Sequence, residues 1–212
     1  MNEDIEKMNS ITKKGTSSSR SSIKFEESLV GYCIVYNGKN PNNYFYNSVV
    51  YINECSSSSI KGIVVNKLLF GSATIECRKQ PKSPTKELTS IYEELYQGGP
   101  ENPAHGFVLF PKDNYIVNDQ YSKVLGEIAI STSFGILQDI MEGIGPNKKI
   151  IAMGHCSWDR GELEWQIFNN EWLIVPSNIE LLFDTNADKR WQKARALSGI
   201  NLSGYINQSG LA

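Results

Sequence analysis

The chain has 212 residues, of which 40% are hydrophobic and 21% charged, and its formal net charge is −2. That composition is enough for a buried core. It argues against a protein built to neutralise many phosphates, and no apolar run approaches the length of about 18 residues that a membrane-spanning helix needs.

Residues 1–24 are rich in Ser and Lys and carry almost no periodic apolar pattern, so a disordered tail is expected there. The same stretch has no apolar h-region, which leaves no secretory signal and points to the cytoplasm. The four cysteines, Cys33, Cys55, Cys77 and Cys156, form no C-x-x-C pair. They are expected as reduced thiols on strands.

The ordered part begins near Phe25. Leu29–Tyr36, Ser48–Asn53 and Ile60–Val65 read as strands, with a polar loop at Ser56–Ser59 that suits a hairpin. Leu88, Ile91, Tyr92 and Leu95 recur at helical spacing, and Gly98-Gly99-Pro100 would stop that helix. Gly106–Phe110 is a buried-type strand. A hairpin-like stretch follows around Tyr115–Val117, and Glu127–Ser131 is another strand. Thr132 or Ser133 can cap a helix carrying Phe134, Leu137 and Ile140, ended by Gly143.

Lys149–Gly154 is a strand, Gly161–Asn169 a short helix and Trp172–Val175 a strand. Thr185–Asp188 fits a capping box that opens a last helix, with Trp191, Ala194 and Leu197 on one face and an end at Gly199. Strands and helices are interleaved, yet several strands follow one another through short loops. The expectation is a single α+β (mixed α/β) domain over 25–205, a large mixed sheet flanked by helices, followed by a C-terminal tail over 206–212.

The densest chemistry runs from Gly154 to Ile167, in the order Gly-His-Cys-Ser-Trp-Asp-Arg-Gly-Glu-Leu-Glu-Trp-Gln-Ile. This stretch reads as a strand-to-helix turn, with Asp159 and Glu162 at capping-box spacing. Cys156 at such a turn could be a nucleophile, but adjacent His155 points the other way in extended chain. Glu162 and Glu164 lie about 200° apart on a helix, so they cannot share a site, although Glu164 could act alone. His105 and His155 show no ligand spacing with the cysteines, so no metal and no cofactor are expected. Gly98-Gly99-Pro100 and Gly143-Ile144-Gly145-Pro146 match no phosphate loop. Lys189, Arg190, Lys193 and Arg195 make the last helix basic, which leaves direct DNA binding as an alternative. Trp158 and Trp165 are the tryptophans outside apolar patterns, and a partly exposed one would suit an interface.

The order and spacing of several elements resemble the YqgE/AlgH family of bacterial proteins. Those elements are Gly31–Val35, Phe45–Val50, Gly62–Asn66, Gly98–Pro100 and Gly106–Leu109. The signature Gly154, Trp158, Gly161, Leu163, Glu164, Asn170, Trp172 and Leu173 follows, then Leu182–Asp184 and Arg190-Trp191. The chain departs from the pattern at His155, where the family has tyrosine, and at Glu162, where it has glutamine. Residues 73–85 look like an insertion. The resemblance implies a mixed α/β domain with a large sheet and a regulatory role of the kind often attached to the family's members. It carries no catalytic residue. The expectation is therefore a non-enzymatic bacterial protein that binds a protein partner or small ligand. Trp158, Glu162, Glu164, His155 and Asn66 are its candidate binding residues. The rival is an enzyme using Cys156 or Glu164.

Overall fold

The computed structural model describes residues 29–69, 74–79, 89–115, 120–159 and 161–206. The tail expected over 1–24 lies outside them, and of 206–212 only Ile206 is described. The strands are β1 Tyr32–Tyr36, β2 Val49–Cys55, β3 Ser59–Val64, β4 Thr74–Lys79, β5 Thr89–Gln97, β6 Glu101–Pro111, β7 Ser122–Leu125, β8 Ile128–Ser131, β9 Ile150–Asp159 and β10 Trp172–Pro176. The α-helices are α1 Phe134–Met141, α2 Glu162–Phe168, α3 Ile179–Phe183 and α4 Ala187–Ile206.

All ten strands join one sheet, ordered β10-β1-β2-β3-β9-β6-β8-β7, with β5 against β9 and β4 against β5. Every pairing is antiparallel except β5 with β9, so the sheet is mixed as expected. Its central strands are covered on both faces, which is why they read as near-continuous apolar runs. Along β1, Cys33 and Val35 enter one core with Tyr51, Ile63 and Val175, over which Leu181, Leu182 and Ala194 of α3 and α4 pack. Ile34 and Tyr36 enter the opposite core with Val50, Ile52, Trp158, Trp172 and Leu163 of α2. A third core under α1 gathers Val108, Phe110, Ile136, Ile140 and Ile151.

Several elements differ from their sequence patterns. The segment expected as a helix around Leu88–Leu95 is strand β5, paired with β4 and with β9. Leu95 packs into the third core and Tyr96 into the first, so two-sided burial mimics helical spacing. Gly98-Gly99 is accordingly no helix stop. It carries the chain from β5 to β6 directly against β9: a Cβ on Gly99 would overlap the His155 backbone, and one on Gly98 the Gly154 carbonyl.

The hairpin in this region is β7–β8, turning at Gly126 with φ +65°. Of the stretch expected around Tyr115–Val117, only Tyr115 is described. Ser133 caps α1 as expected, through Gly135 N–H at 3.2 Å, but Phe134 is exposed. Thr185 does not cap the last helix; its hydroxyl donates to Glu180 O at 2.7 Å. That helix runs past Gly199 to Ile206. A single helical glycine costs only about 1 kcal/mol, too little to end a helix by itself.

Candidate functional site

The strand expected to stop at Gly154 continues to Asp159. Gly154 has φ +77°, a conformation that favours glycine, and it marks the point where β9 changes neighbours. Before it, Ile151–Met153 run beside Leu95–Gln97 of β5; after it, Cys156–Asp159 pair with Ser59–Gly62 of β3. His155, Cys156, Ser157 and Trp158 therefore lie on a strand and not in a turn. Successive residues point to opposite faces. His155 lines one cavity and Cys156 with Trp158 another.

The smaller recess, about 260 Å³, lies on the Trp158 side. Trp158 is only 3% exposed. It stacks on Phe45 at 5.6 Å between ring centroids and meets Trp172 edge-on at 5.7 Å. Trp172 Nε1 donates to Gln166 Oε1 at 2.8 Å. Glu162 is exposed at the rim, where its Oε2 accepts from Asp159 N–H at 3.2 Å. That is half of the expected capping box, and the residue at the N-cap position is Gly161. Cys156 is buried, and its Sγ–H donates to Gly98 O at 3.6 Å. Burial, assisted by Glu101, pushes the Cys156 thiol up to about 12, the reverse of what thiolate catalysis requires.

Glu164 is half-buried and lines neither cavity. Asn66 is a brace: its Oδ1 accepts from Val49 N–H at 2.7 Å and its Nδ2 donates to Asn47 O at 2.8 Å. The exposed tryptophan is Trp165, at 50%. Arg190 is buried, Lys193 is paired with Glu180 at 2.6 Å and Arg195 lies over the Trp191 ring, so these three do not form one basic face.

The larger cavity, about 830 Å³, is on the His155 side. Two irregularities of the sheet shape it. The β2–β3 register shifts between Ile52 and Glu54, and consecutive residues Asn53 and Glu54 both line the cavity, as a bulge permits. The β6–β9 register shifts between Glu101 and Gly106, and residues 102–105 of this excursion line the cavity too. It starts at Asn102, held at φ +45°. Non-glycine residues in that region are held by their surroundings and cluster at functional sites.

Asn53 is 5% exposed and His155 8%. Asn53 Oδ1 and His155 Nδ1 are buried without a hydrogen-bond partner. On its other side, His155 Nε2 stands 3.5 Å from Glu101 Oε2, and Glu101 Oε1 accepts from Ser157 Oγ at 2.6 Å. Lys61 and Lys123 both approach Glu54, at 3.1 and 3.9 Å. Among the described residues, no three His, Cys, Asp or Glu side chains gather as a metal site.

Burial lowers the His155 pKa below its ordinary value; Glu101 opposes this and is outweighed. The unfolded chain therefore binds a proton that the folded one resists, so stability rises with pH. The penalty is absent above the unfolded value of about 6.5 and grows as pH falls through it. Urea titrations of the full chain at pH 7.5 and 5.5 should show wild type losing more stability on acidification than His155→Gln. Equal losses would mean that His155 titrates normally.

Of the residues singled out in the sequence, Cys156, Trp158 and Glu162 line the small recess, and His105 and His155 line the large cavity. Asn53, Lys61 and Lys123 were missed. No motif marks them, because a bulge and a register shift bring them together.

The AlgH-like family model matches residues 34–203. A UPF0301 protein of Vibrio vulnificus is 34% identical over 173 residues, covering 80% of this chain and 91% of its own. The UPF0301 protein AlgH of Pseudomonas aeruginosa is 34% identical over 170 residues, covering 79% and 87%. The solution structure of AlgH from Pseudomonas aeruginosa superposes with a TM-score of 0.61 at 28% identity, covering 87% of this chain and 96% of that one. A crystal structure of a Corynebacterium diphtheriae protein, at 16% identity and TM-score 0.55, shares the fold over 78% and 84% of the two chains. Matched along nearly all of its described length in sequence and in sheet architecture, the chain belongs to the AlgH-like family.

Proposed function

We propose that the protein is a non-enzymatic binding protein that takes a small polar ligand in the cavity bounded by Asn53 and His155. The observation that carries this reading is the cavity itself, about 830 Å³ and lined by the polar side chains of Asn53, Lys61, Lys123 and His155. The volume falls within the usual range for small-molecule sites, about 300–1,000 Å³.

The rival thiol mechanism loses its premise in the raised Cys156 pKa and the thiol's contact with a carbonyl. The free thiols of Cys33, Cys55 and Cys156 support a cytoplasmic setting. No helix among the described residues is long and apolar enough to cross a membrane. A regulatory role, as the family resemblance implies, would follow from ligand occupancy of this cavity.

Equilibrium dialysis of the full chain against a library of polar small molecules tests the proposal. Hits are expected to lose about tenfold or more in affinity with Asn53→Ala, as removal of one buried hydrogen bond implies, and to be unaffected by Glu162→Gln. No hits, or hits indifferent to Asn53→Ala, would overturn it.

A further inference from the structure

Apart from both cavities, α2 holds two large aromatic side chains in solvent. Trp165 is 50% exposed and Phe168 85%, and neither lines a cavity. Three residues apart, they stand side by side on the outer face of the helix, while Leu163 and Ile167 pack into the core beneath. At about 100° per residue, Glu162 flanks this ridge on one side and Glu164 on the other. From Asp159 to Glu171 four carboxylates stand against Arg160 alone. Asp159, Glu162 and Glu171 have no cationic partner among the described residues.

Exposed apolar surface framed by charge marks an interaction site. The framing carboxylates repel phosphate backbones and anionic lipid, so the fitting occupant is a cationic polypeptide with some apolar side chains. This chain contains one. Residues 7–24 hold Lys7, Lys13, Lys14, Arg20 and Lys24 with no Asp or Glu, and Met8, Ile11 and Ile23 among them. They lie outside the described residues and precede the family match, which begins at residue 34. Their composition is too polar to build a core of its own, so a surface elsewhere must supply any order. The entry point suits α2. Leu29, the first described residue, is buried in the same core as Leu163. Gly31 N–H donates to Ile52 O at 2.8 Å, and Ile52, Gly62 and Cys156 pair in turn across β2, β3 and β9. Three strand spacings separate β1 from β9, about 15 Å. The five residues from Lys24 to Leu29 span about that distance when extended.

We infer that residues 7–24 dock on α2 of their own chain, their apolar side chains against the Trp165–Phe168 ridge and their cations beside Asp159, Glu162 and Glu171. Exposed ion pairs and cation–π contacts are individually weak. Tethering raises the effective concentration to the millimolar range, which lets such contacts hold together. The inference is independent of the ligand cavity.

Zero-length carbodiimide cross-linking of the full chain, on a mixture of isotope-labelled and unlabelled protein and read by peptide mass mapping, tests this. Lys7, Lys13, Lys14 and Lys24 should link to Asp159, Glu162 and Glu171 within one chain. The double variant Trp165→Ala with Phe168→Ala removes two exposed rings and should cut that yield about tenfold, with an unchanged melting profile showing that it is folded. Salt at about 0.5 M should cut the wild-type yield several-fold. Links from these lysines to Glu54, Glu127 and Glu180 as often as to the α2 carboxylates would overturn the inference, as would a yield indifferent to the double variant or no links at all. Links between labelled and unlabelled chains would overturn it in favour of a second copy on the ridge.

Discussion

Trp158→Ala is expected to lower the unfolding free energy by about 3–5 kcal/mol, the usual cost of truncating a buried tryptophan, while the folded protein keeps its ligand cavity. The reason is the position of the indole. Trp158 is 3% exposed and locked between Phe45 and Trp172, with Tyr36 reaching the same cluster through Trp172 at 5.2 Å. Truncation removes these ring contacts and enlarges the adjoining recess. The neighbours cannot collapse freely, because Trp172 is tied to Gln166 through its indole N–H. Trp158→Phe keeps part of the packing and should lose roughly half as much. Urea denaturation monitored by circular dichroism measures both. A loss below about 1 kcal/mol for the alanine variant would place the indole at a yielding surface and return it to the list of candidate ligand contacts.

The second large effect is expected at Arg190. The guanidinium is buried at 3% exposure and donates to three backbone carbonyls: Leu181 at 3.1 Å, Thr185 at 2.8 Å, and Val65. It also lies 5.6 Å from the Tyr96 ring centroid. One side chain thus ties α3 and the start of α4 to the end of β3 and to β5. Arg190→Met keeps the apolar stem and removes every donor, leaving buried carbonyls unsatisfied. A loss of about 3–5 kcal/mol is expected, since hydrogen bonds from charged groups contribute about 1.5–3 kcal/mol each and do not sum fully. Arg190→Lys should recover only part, because one ammonium cannot reproduce the planar fork. Equal stability of Arg190→Met and wild type in the same titration would show that this tie is dispensable.

Arg190 also shows where sequence reading stops. Beside Lys189, Lys193 and Arg195 it looks like one of four charges on a solvated or DNA-facing helix. Only the fold reveals that β3 ends against it. The helical spacing that ends at Leu95 misled for a related reason: Leu95 and Tyr96 are covered on opposite sides of their strand, so the two-residue alternation is lost there. Other parts were legible. The apolar runs at Tyr32–Tyr36, Val49–Ile52 and Ile60–Val64 are long enough, and bounded clearly enough, to be strands under any packing. Ser133 before Phe134 announces its helix because capping is local chemistry.

The candidate site divides along the same line. The opposite orientation of His155 and Cys156 follows from strand geometry alone, and it places them in different cavities. Their separation by Gly154 from the rest of β9 could not be read, since the glycine's positive φ is imposed by Gly98 and Gly99 crossing beside it. Asn53 was invisible because a bulge is a property of two paired strands, and a single strand's sequence does not contain its partner's register. His155 places an imidazole on the cavity wall.

On the proposed function, one face of β9 is packing and the other is a binding surface. Backbone amide chemical-shift mapping of the full chain, titrated with the small polar molecules that bind it, tests this most directly. The perturbed residues are expected to cluster around Asn53, Lys61, Asn102, Lys123 and His155 and to spare Trp158, Glu162 and Trp172. Perturbations centred on the Trp158 recess, with Asn53 and His155 unmoved, would contradict it.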